Sequence, residues 1–212
     1  IINKSKYKRD LSLDRKLIGL EQMLWIKNNL NKKFKWSIIG QQVLMAEVYL
    51  PTIFANMNKK ILPDYLHKYL KIGGANVPYN TDAWDGYPKE RERLFKELKK
   101  VNSVLVLTGD THNSWVNNLY DKNNNFIGVE IGTPAISSPN TIDTFGSLTN
   151  DIEEGFIKEN KNVKWTEGKH KGYTLLKLTK DKSEVTFVYV NTVKSKVYEV
   201  IDTNKFNVKP NT

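Results

Sequence analysis

The chain lacks cysteine, has little arginine and contains no long apolar run. The absence of cysteine excludes disulfides, a thiolate nucleophile and Cys-ligated metal sites within its 212 residues. No apolar run approaches the roughly 20 residues that a membrane-spanning helix needs, so no membrane span is expected. The first residues also lack the basic, apolar and small-residue segments of a signal peptide. What is present, 39% hydrophobic and 26% charged residues, is typical of a globular domain.

The positive charge of the chain comes almost entirely from lysine. Lys and Arg number 33 against 23 Asp and Glu, a formal net charge of +10, but only positions 9, 15, 91 and 93 are arginine. Nucleic-acid sites favour arginine because its guanidinium forms paired hydrogen bonds. Lysine together with frequent asparagine, as at Asn123–Asn125, is typical of an AT-rich coding sequence. We therefore expect no dedicated nucleic-acid role, and keep a basic polyanion-binding module as an alternative.

The hydrophobic pattern predicts a layered α/β fold. Helical spacing of apolar residues alternates with short apolar runs, and the later part of the chain has two hairpin signals. Val104–Leu107 is continuously apolar and is predicted as a strand buried on both faces. The predicted elements are helices over 20–31, 65–71 and 88–101, strands over 36–40 and 104–107, hairpins over 115–131 and 173–190, and a third late strand over 197–201.

The most informative motif follows the buried strand, at Gly109-Asp110-Thr111-His112. Residues two apart in extended chain project to the same side, so Asp110 and His112 are expected to aim at one point in the strand-end crevice. A carboxylate and an imidazole are a plausible pair of metal ligands, and Gly109 would let the backbone approach an ion or phosphate. The alternative is that Asp110 caps the next turn and His112 is a partly exposed loop residue.

Three further positions are candidates for supporting the site. Trp84, Asp85 and Tyr87 either shape it or form a helix lead-in, in which the aromatic rings enter the core and the carboxylate accepts from backbone donors. Gln42, at a predicted strand end, either donates to a ligand or satisfies local backbone. His67 and His170 have no partner in the sequence and are interpreted as surface residues.

Six segments in a fixed order resemble the C-terminal half of the PhoD-like alkaline phosphatases, a branch of the calcineurin-like metallophosphoesterases. The resemblance extends from about Arg15 to Val193. Its segments are Arg15–Gln22, Trp36–Met45, Trp84–Arg91, Leu107–Trp115, Gly128–Pro134, and Gly172-Tyr173 with the final hairpin.

The resemblance implies a four-layer αββα sandwich with mixed sheets and C-terminal antiparallel hairpins. It implies hydrolysis of phosphate monoesters and diesters at a metal cluster containing calcium and iron, in a periplasmic or extracellular protein. By similarity, Asp110 and His112 match the late Gly-Asp-x-His segment. Asp110 would then be a metal ligand, and His112 a ligand or a proton donor. Trp84, Asp85, Tyr87 and Gln42 would support them.

The same resemblance also indicates what the chain lacks. The early segments that supply most metal ligands have no counterpart, so residues 1–212 are expected to be the C-terminal portion of the domain, without its N-terminal half and inactive alone. Asn160-Lys161-Asn162 stands where relatives often carry Asn-Pro-His, so no histidine is carried over there. A domain that kept the fold for binding or interaction without catalysis is the alternative.

Overall fold

The computed structural model describes residues 10–62, 64, 67 and 73–210. Single 3-10 turns lie at Lys59–Ile61, Trp84–Gly86 and Gly146–Leu148. The helices are α1 (Gly19–Asn29), α2 (Ile53–Asn56), α3 (Pro88–Leu98), α4 (Thr141–Phe145) and α5 (Thr149–Glu159). The strands are β1 (Ser37–Gly40), β2 (Val104–Thr108), β3 (Ser114–Tyr120), β4 (Phe126–Gly132), β5 (Val163–Glu167), β6 (Lys171–Leu178), β7 (Ser183–Val190) and β8 (Val200–Val208).

The strands form two sheets. The first has five strands in the order β1-β2-β4-β3-β5, in which β1, β2 and β4 are parallel and β3 is antiparallel to both neighbours. The second is an antiparallel sheet of β6, β7 and β8. The predicted α/β class and the late antiparallel hairpins are confirmed. Within the described residues, no helix has the length and apolar character needed to cross a membrane.

The first sheet lies between a helical layer and the second sheet. On one face, Val104 and Val106 join a cluster that includes Phe95 of α3 and Phe156 of α5. On the other face, Leu105 joins a cluster with side chains of β7, which are Val185, Phe187 and Tyr189. Strand β2 is therefore buried on both faces, as its continuous apolar run predicts. The four-layer sandwich stays a prediction, because three layers are described.

Several element bounds differ from those predicted. The third late strand was predicted over 197–201 but runs over Val200–Val208, because polar residues such as Lys205 alternate with the inward Phe206 and interrupt the apolar run. Helix α1 ends at Asn29, since Leu30 is extended at ψ 130°. Helices α4 and α5 and strand β5 were not predicted. Most of the helix predicted over 65–71 lies outside the described residues.

The segment that follows β1 is buried but forms no helix and no extended ladder. Backbone N–H groups that are removed from water need acceptors. Glu130 of β4 accepts from the N–H of Met45 and from that of Ala46, at 3.1 Å. Asp85 accepts from Val48 at 2.9 Å, and the Asn160 amide pairs with both backbone groups of Tyr49. Side chains from three separate elements therefore hold this segment in place.

Two of these acceptors are ionisable and fully enclosed. Burial raises the pKa of Glu130 to about 7, although hydrogen bonds from Asn117, Met45 and Ala46 oppose the rise. Burial likewise raises the pKa of Asp85 to about 6, against the Arg91 guanidinium that is paired with it. Burial is the largest cause in both cases, because the hydrogen bonds and the Arg91 guanidinium replace only part of the hydration that a carboxylate has in water.

Glu130→Gln is expected to flatten the pH dependence of the free energy of unfolding. The folded-state pKa lies above the unfolded value, so the contribution of Glu130 is fully present below about pH 4.5 and is lost as the pH rises to about 7. Over this pH range the free energy of unfolding of the wild type should fall by about 3 kcal/mol through this group. Urea unfolding of both proteins across this range measures it. The exposed Glu21→Gln serves as control and should follow the wild type, and a Glu130→Gln curve parallel to the wild type would contradict the expectation.

Candidate active site

One edge of the first sheet contains one end of each of its five strands. The carboxyl ends of the parallel strands β1, β2 and β4 lie there, and the antiparallel pairings bring the start of β3 and the end of β5 to the same edge. Ser114 pairs with Glu167 in this register. Open α/β sheets bind their ligands beyond the carboxyl ends of their strands, so this edge is the candidate site.

A cavity of about 550 Å³ opens between the two sheets at this edge. Its polar lining comes from Gln42, Thr108, Asp110, Thr133 and Thr174, and its apolar lining includes Leu107, Ile131 and Leu176. The Thr133 and Thr174 hydroxyls are hydrogen-bonded at 3.0 Å. The Thr108 hydroxyl oxygen is buried and has no partner among the described residues. The cavity therefore combines unsatisfied polar groups with an apolar wall, which is typical of ligand sites.

Asp110 lies at the mouth of this cavity in a strained conformation. Its φ is +66°, and the N–H of Thr111 donates to the Gly109 carbonyl at 2.8 Å, which makes Asp110 the centre of a γ-turn. The carboxylate is exposed and has no hydrogen-bond or ion-pair partner in the described part of the chain. Strained backbone of this kind concentrates at functional sites, so the free carboxylate is a candidate ligand group.

His112 is half-buried and anchored through one ring nitrogen. Its Nδ1 lies 2.7 Å from the Pro139 carbonyl oxygen. A carbonyl only accepts, so the Nδ1 proton makes this bond and Nε2 is left for a ligand. Its φ is +63°, so the segment is not extended, contrary to the basis on which a common aim with Asp110 was predicted. The convergence of the two side chains stays a prediction.

Backbone hydrogen bonds fix the path of the loop from 109 to 112. Gly109 donates to the Gln42 carbonyl at 2.9 Å, and Thr133 donates to that of Thr108 at the same distance. The Trp115 indole donates to the Thr111 hydroxyl at 2.8 Å. A Cβ built on Gly109 would lie 3.8 Å from the nearest atom, the Thr133 methyl group. The loop is thus rigid, while the space beside its glycine is open to a ligand.

The predicted supporting residues lie at different places in the structure. Gln42 is exposed and lines the cavity, and its neighbour Gln41 accepts a bond from the buried Trp84 indole at 3.1 Å. Asp85 and Tyr87 do not line it: Asp85 serves the buried segment, and the Tyr87 ring lies under the Arg15 guanidinium, 5.1 Å from its centroid. Asn162, where relatives often carry histidine, donates to the Glu47 carbonyl at 2.9 Å.

His170 is partly exposed, as the interpretation of a surface residue expects, but it has a partner. Its Nδ1 lies 2.9 Å from Oε1 of Glu167, three residues earlier. The Glu-x-x-His spacing after a strand indicates such a pair, but it has this meaning only if β5 is recognised as a strand. His67 is half-buried, and its Nε2 lies 3.0 Å from the carbonyl oxygens of Lys59 and Leu62.

The metal-binding capacity of the described residues is partial. Within residues 10–62, 64, 67 and 73–210, no three His, Asp or Glu side chains are grouped so that they could hold a metal ion. Asp110 offers a free carboxylate and His112 a free ring nitrogen, which fit a shared cation as donor types. The predicted pair therefore fits part of a metal centre.

Comparisons with known proteins match most of the length of this chain. The sequence profile of the PhoD-like phosphatases matches residues 3–187. Alkaline phosphatase D of Bacillus subtilis (strain 168) is 31% identical over 174 residues, which are 78% of this chain and 25% of that protein. A solved structure described as the structure of PhoD superposes with a TM-score of 0.68 at 25% identity, covering 95% of this chain and 34% of the other. The chain thus spans about a quarter to a third of the length of these relatives.

Asp110→Gly is expected to be more stable than Asp110→Ala by about 1 kcal/mol, because alanine pays for a positive φ and glycine does not. Both variants remove the carboxylate, so their difference reports the backbone alone. Asp110→Asn is the matched control and should stay close to the wild type, since asparagine tolerates this conformation. Urea unfolding measures all four proteins. An alanine variant as stable as the glycine variant would show that residue 110 is not held in the left-handed region.

Proposed function

Because the chain belongs to the PhoD-like phosphatase family, we propose that it contributes one side of the active site of a metal-dependent phosphatase that hydrolyses phosphate monoesters or diesters. The observation that carries this proposal is the exposed Asp110 carboxylate at the strand-end cavity, which has no partner among the residues that the structure describes. It is held in a strained turn two residues before an anchored His112. Such strain lowers the stability of the fold, and a ligand role of the Asp110 side chain would explain why this conformation is kept.

Asp110 and His112 are the residues we assign to the metal centre. Calcium prefers oxygen ligands, for which the Asp110 carboxylate and the nearby Gln42 amide oxygen are suited. Iron accepts carboxylate and imidazole together, which fits Asp110 with Nε2 of His112. A bound metal ion would neutralise phosphate oxygens and lower the pKa of a water molecule. The remaining ligands would come from outside the described residues.

His112 has two possible roles, and the Pro139 carbonyl serves both. With Nδ1 protonated and bonded to that carbonyl, the neutral ring presents an unprotonated Nε2 as a ligand. In the protonated ring, Nε2–H donates instead to a phosphate oxygen, as a charge-assisted hydrogen bond. In either case the main-chain acceptor fixes the ring orientation in advance, so that little ordering is required when the substrate binds.

We also propose that the chain corresponds to the C-terminal portion of such a domain. The N-terminal half would supply the other ligands and complete a four-layer sandwich. This is consistent with the chain spanning 25% of alkaline phosphatase D. By the same family relationship, the protein would act outside the cytoplasm, in the periplasm or the extracellular space.

The 212-residue chain alone is expected to hydrolyse p-nitrophenyl phosphate at no measurable rate, because a metal cluster needs several convergent ligands. A chimera in which this chain replaces the matching part of alkaline phosphatase D should hydrolyse it. In that chimera, Asp110→Asn should lower kcat by more than the roughly 10- to 100-fold that loss of an outer-shell partner causes. It should also reduce the calcium or iron content per molecule, measured by elemental analysis.

His67→Gln in the chimera is the control, since His67 contacts backbone carbonyls of its own region and Asp64. It should leave both kcat and metal content unchanged. An Asp110→Asn chimera with full activity and full metal content would contradict the ligand assignment. A folded chimera without activity would favour the non-catalytic binding domain.

A further inference from the structure

The strand-end edge carries a second ordered imidazole. His170 lies between β5 and β6, and its Nδ1 is 2.9 Å from the Glu167 carboxylate. Its ring lies 5.4 Å from the ring of Tyr189, tilted by 34°, and Tyr189 is fully buried. The Tyr189 hydroxyl in turn donates to the hydroxyl of Ser114, at the start of β3, at 2.8 Å. A hydrogen bond and a ring contact together define the orientation of this imidazole.

The carboxylate that holds His170 is itself fixed. Glu167 is only 8% exposed and accepts from the N–H groups of Lys169, at 2.9 Å, and His170, at 3.2 Å. Glu153 of α5 secures the same turn, because it accepts from the Gly168 N–H at 2.7 Å and pairs with the Lys169 ammonium at 3.2 Å. A turn with this many bonds places the imidazole before any ligand arrives.

His170 and His112 flank the same loop, which connects β4 to α4. Pro139 accepts from the His112 ring through its carbonyl, and the next residue, Asn140, donates to the His170 carbonyl at 3.2 Å. The backbone repeats this relationship: Ala135 donates to the His112 carbonyl at 3.3 Å, and its own carbonyl accepts from Gly172 at 3.0 Å. Both imidazoles therefore belong to the edge that bears the candidate active site.

The lysines on both sides of His170 are engaged in ion pairs. Lys169 is paired with Glu153, and Lys171 is paired with Asp143 at 2.5 Å. The His170 side chain is 37% exposed, and its Nε2 has no partner among the described residues. A protonated ring whose Nδ1 bonds the carboxylate presents Nε2–H as a donor to an anion. The phosphate group is the anion of the proposed reaction.

We propose that His170, held by Glu167, binds a phosphate oxygen at the rim of the active site. This inference rests on the proposed function, which names a phosphate ester as the substrate. Nε2 of the protonated ring donates the hydrogen bond, and the Glu167 carboxylate keeps the opposite nitrogen engaged. His170 would therefore contribute to phosphate binding from the turn between β5 and β6.

The chain has three histidines, so the ring signals of isotope-labelled protein can be followed individually by NMR. Inorganic phosphate is titrated at about pH 6, where free imidazole is largely protonated. The His170 signal is expected to shift with saturation, and the His67 signal is expected not to. Sodium chloride at matched ionic strength should not reproduce the shift. The variants His170→Gln, His112→Gln and His67→Gln assign the signals.

Glu167→Gln should raise the apparent Kd for phosphate at His170 by about tenfold or more, because it removes the charged partner of the ring. If that variant does not fold, the wild-type titration still decides the inference. A His170 signal that chloride shifts equally, or that phosphate leaves unmoved, overturns it. If phosphate moves His112 but not His170, the inference fails while the proposed function stands. A response at His170 without hydrolysis by the chimera would leave phosphate binding intact and contradict the proposed function.

Discussion

Acceptors for the buried backbone N–H groups after β1 are the constraint on which the rest of the structure depends. That segment leaves the first sheet without a helix or strand of its own, so its donors must be satisfied by side chains. Glu130, Asp85 and Asn160 provide the acceptors from β4, from the lead-in to α3 and from the end of α5. Gln41 and Gln42, which line the cavity, lie between the end of β1 and these bonded residues. The core and the candidate site share one polar framework.

Four carboxyl groups of the chain lie in three kinds of environment. Glu130 and Asp85 are enclosed and fully used by backbone and guanidinium donors, so neither can leave its position to meet a ligand. Asp110 is exposed, without a partner in the described part of the chain, in a backbone conformation that costs energy. Glu167 lies between these extremes, since it is buried and yet holds a partly exposed imidazole. Only the last two kinds of environment suit a role toward a ligand.

The fold class and strand β2 could be predicted from the sequence. Val104–Leu107 is apolar at every position and has the length of a strand, which indicates a strand buried on both faces. The sequence also located Asp110 and His112 at a strand end. It could not show that both residues have positive φ, since that follows from tertiary bonds to Gln42 and Pro139. Strand β5 was not predicted because its alternation of apolar and polar residues, Val163 to Thr166, spans only four positions. Without that strand, the pairing of Glu167 with His170 was not expected either.

The loop between β4 and α4 has an evolutionary consequence. The loop holds the His112 ring through the main-chain carbonyl oxygen of residue 139, which is present whichever amino acid occupies that position. A point substitution there can alter the path of the loop but cannot remove the acceptor. The proton on Nδ1 of His112 therefore depends on the path of the backbone and not on the residue type. Insertions and deletions act differently, because they would displace both flanking histidines in one event. Descendants of this protein should therefore tolerate changes of residue along the loop more readily than changes of its length.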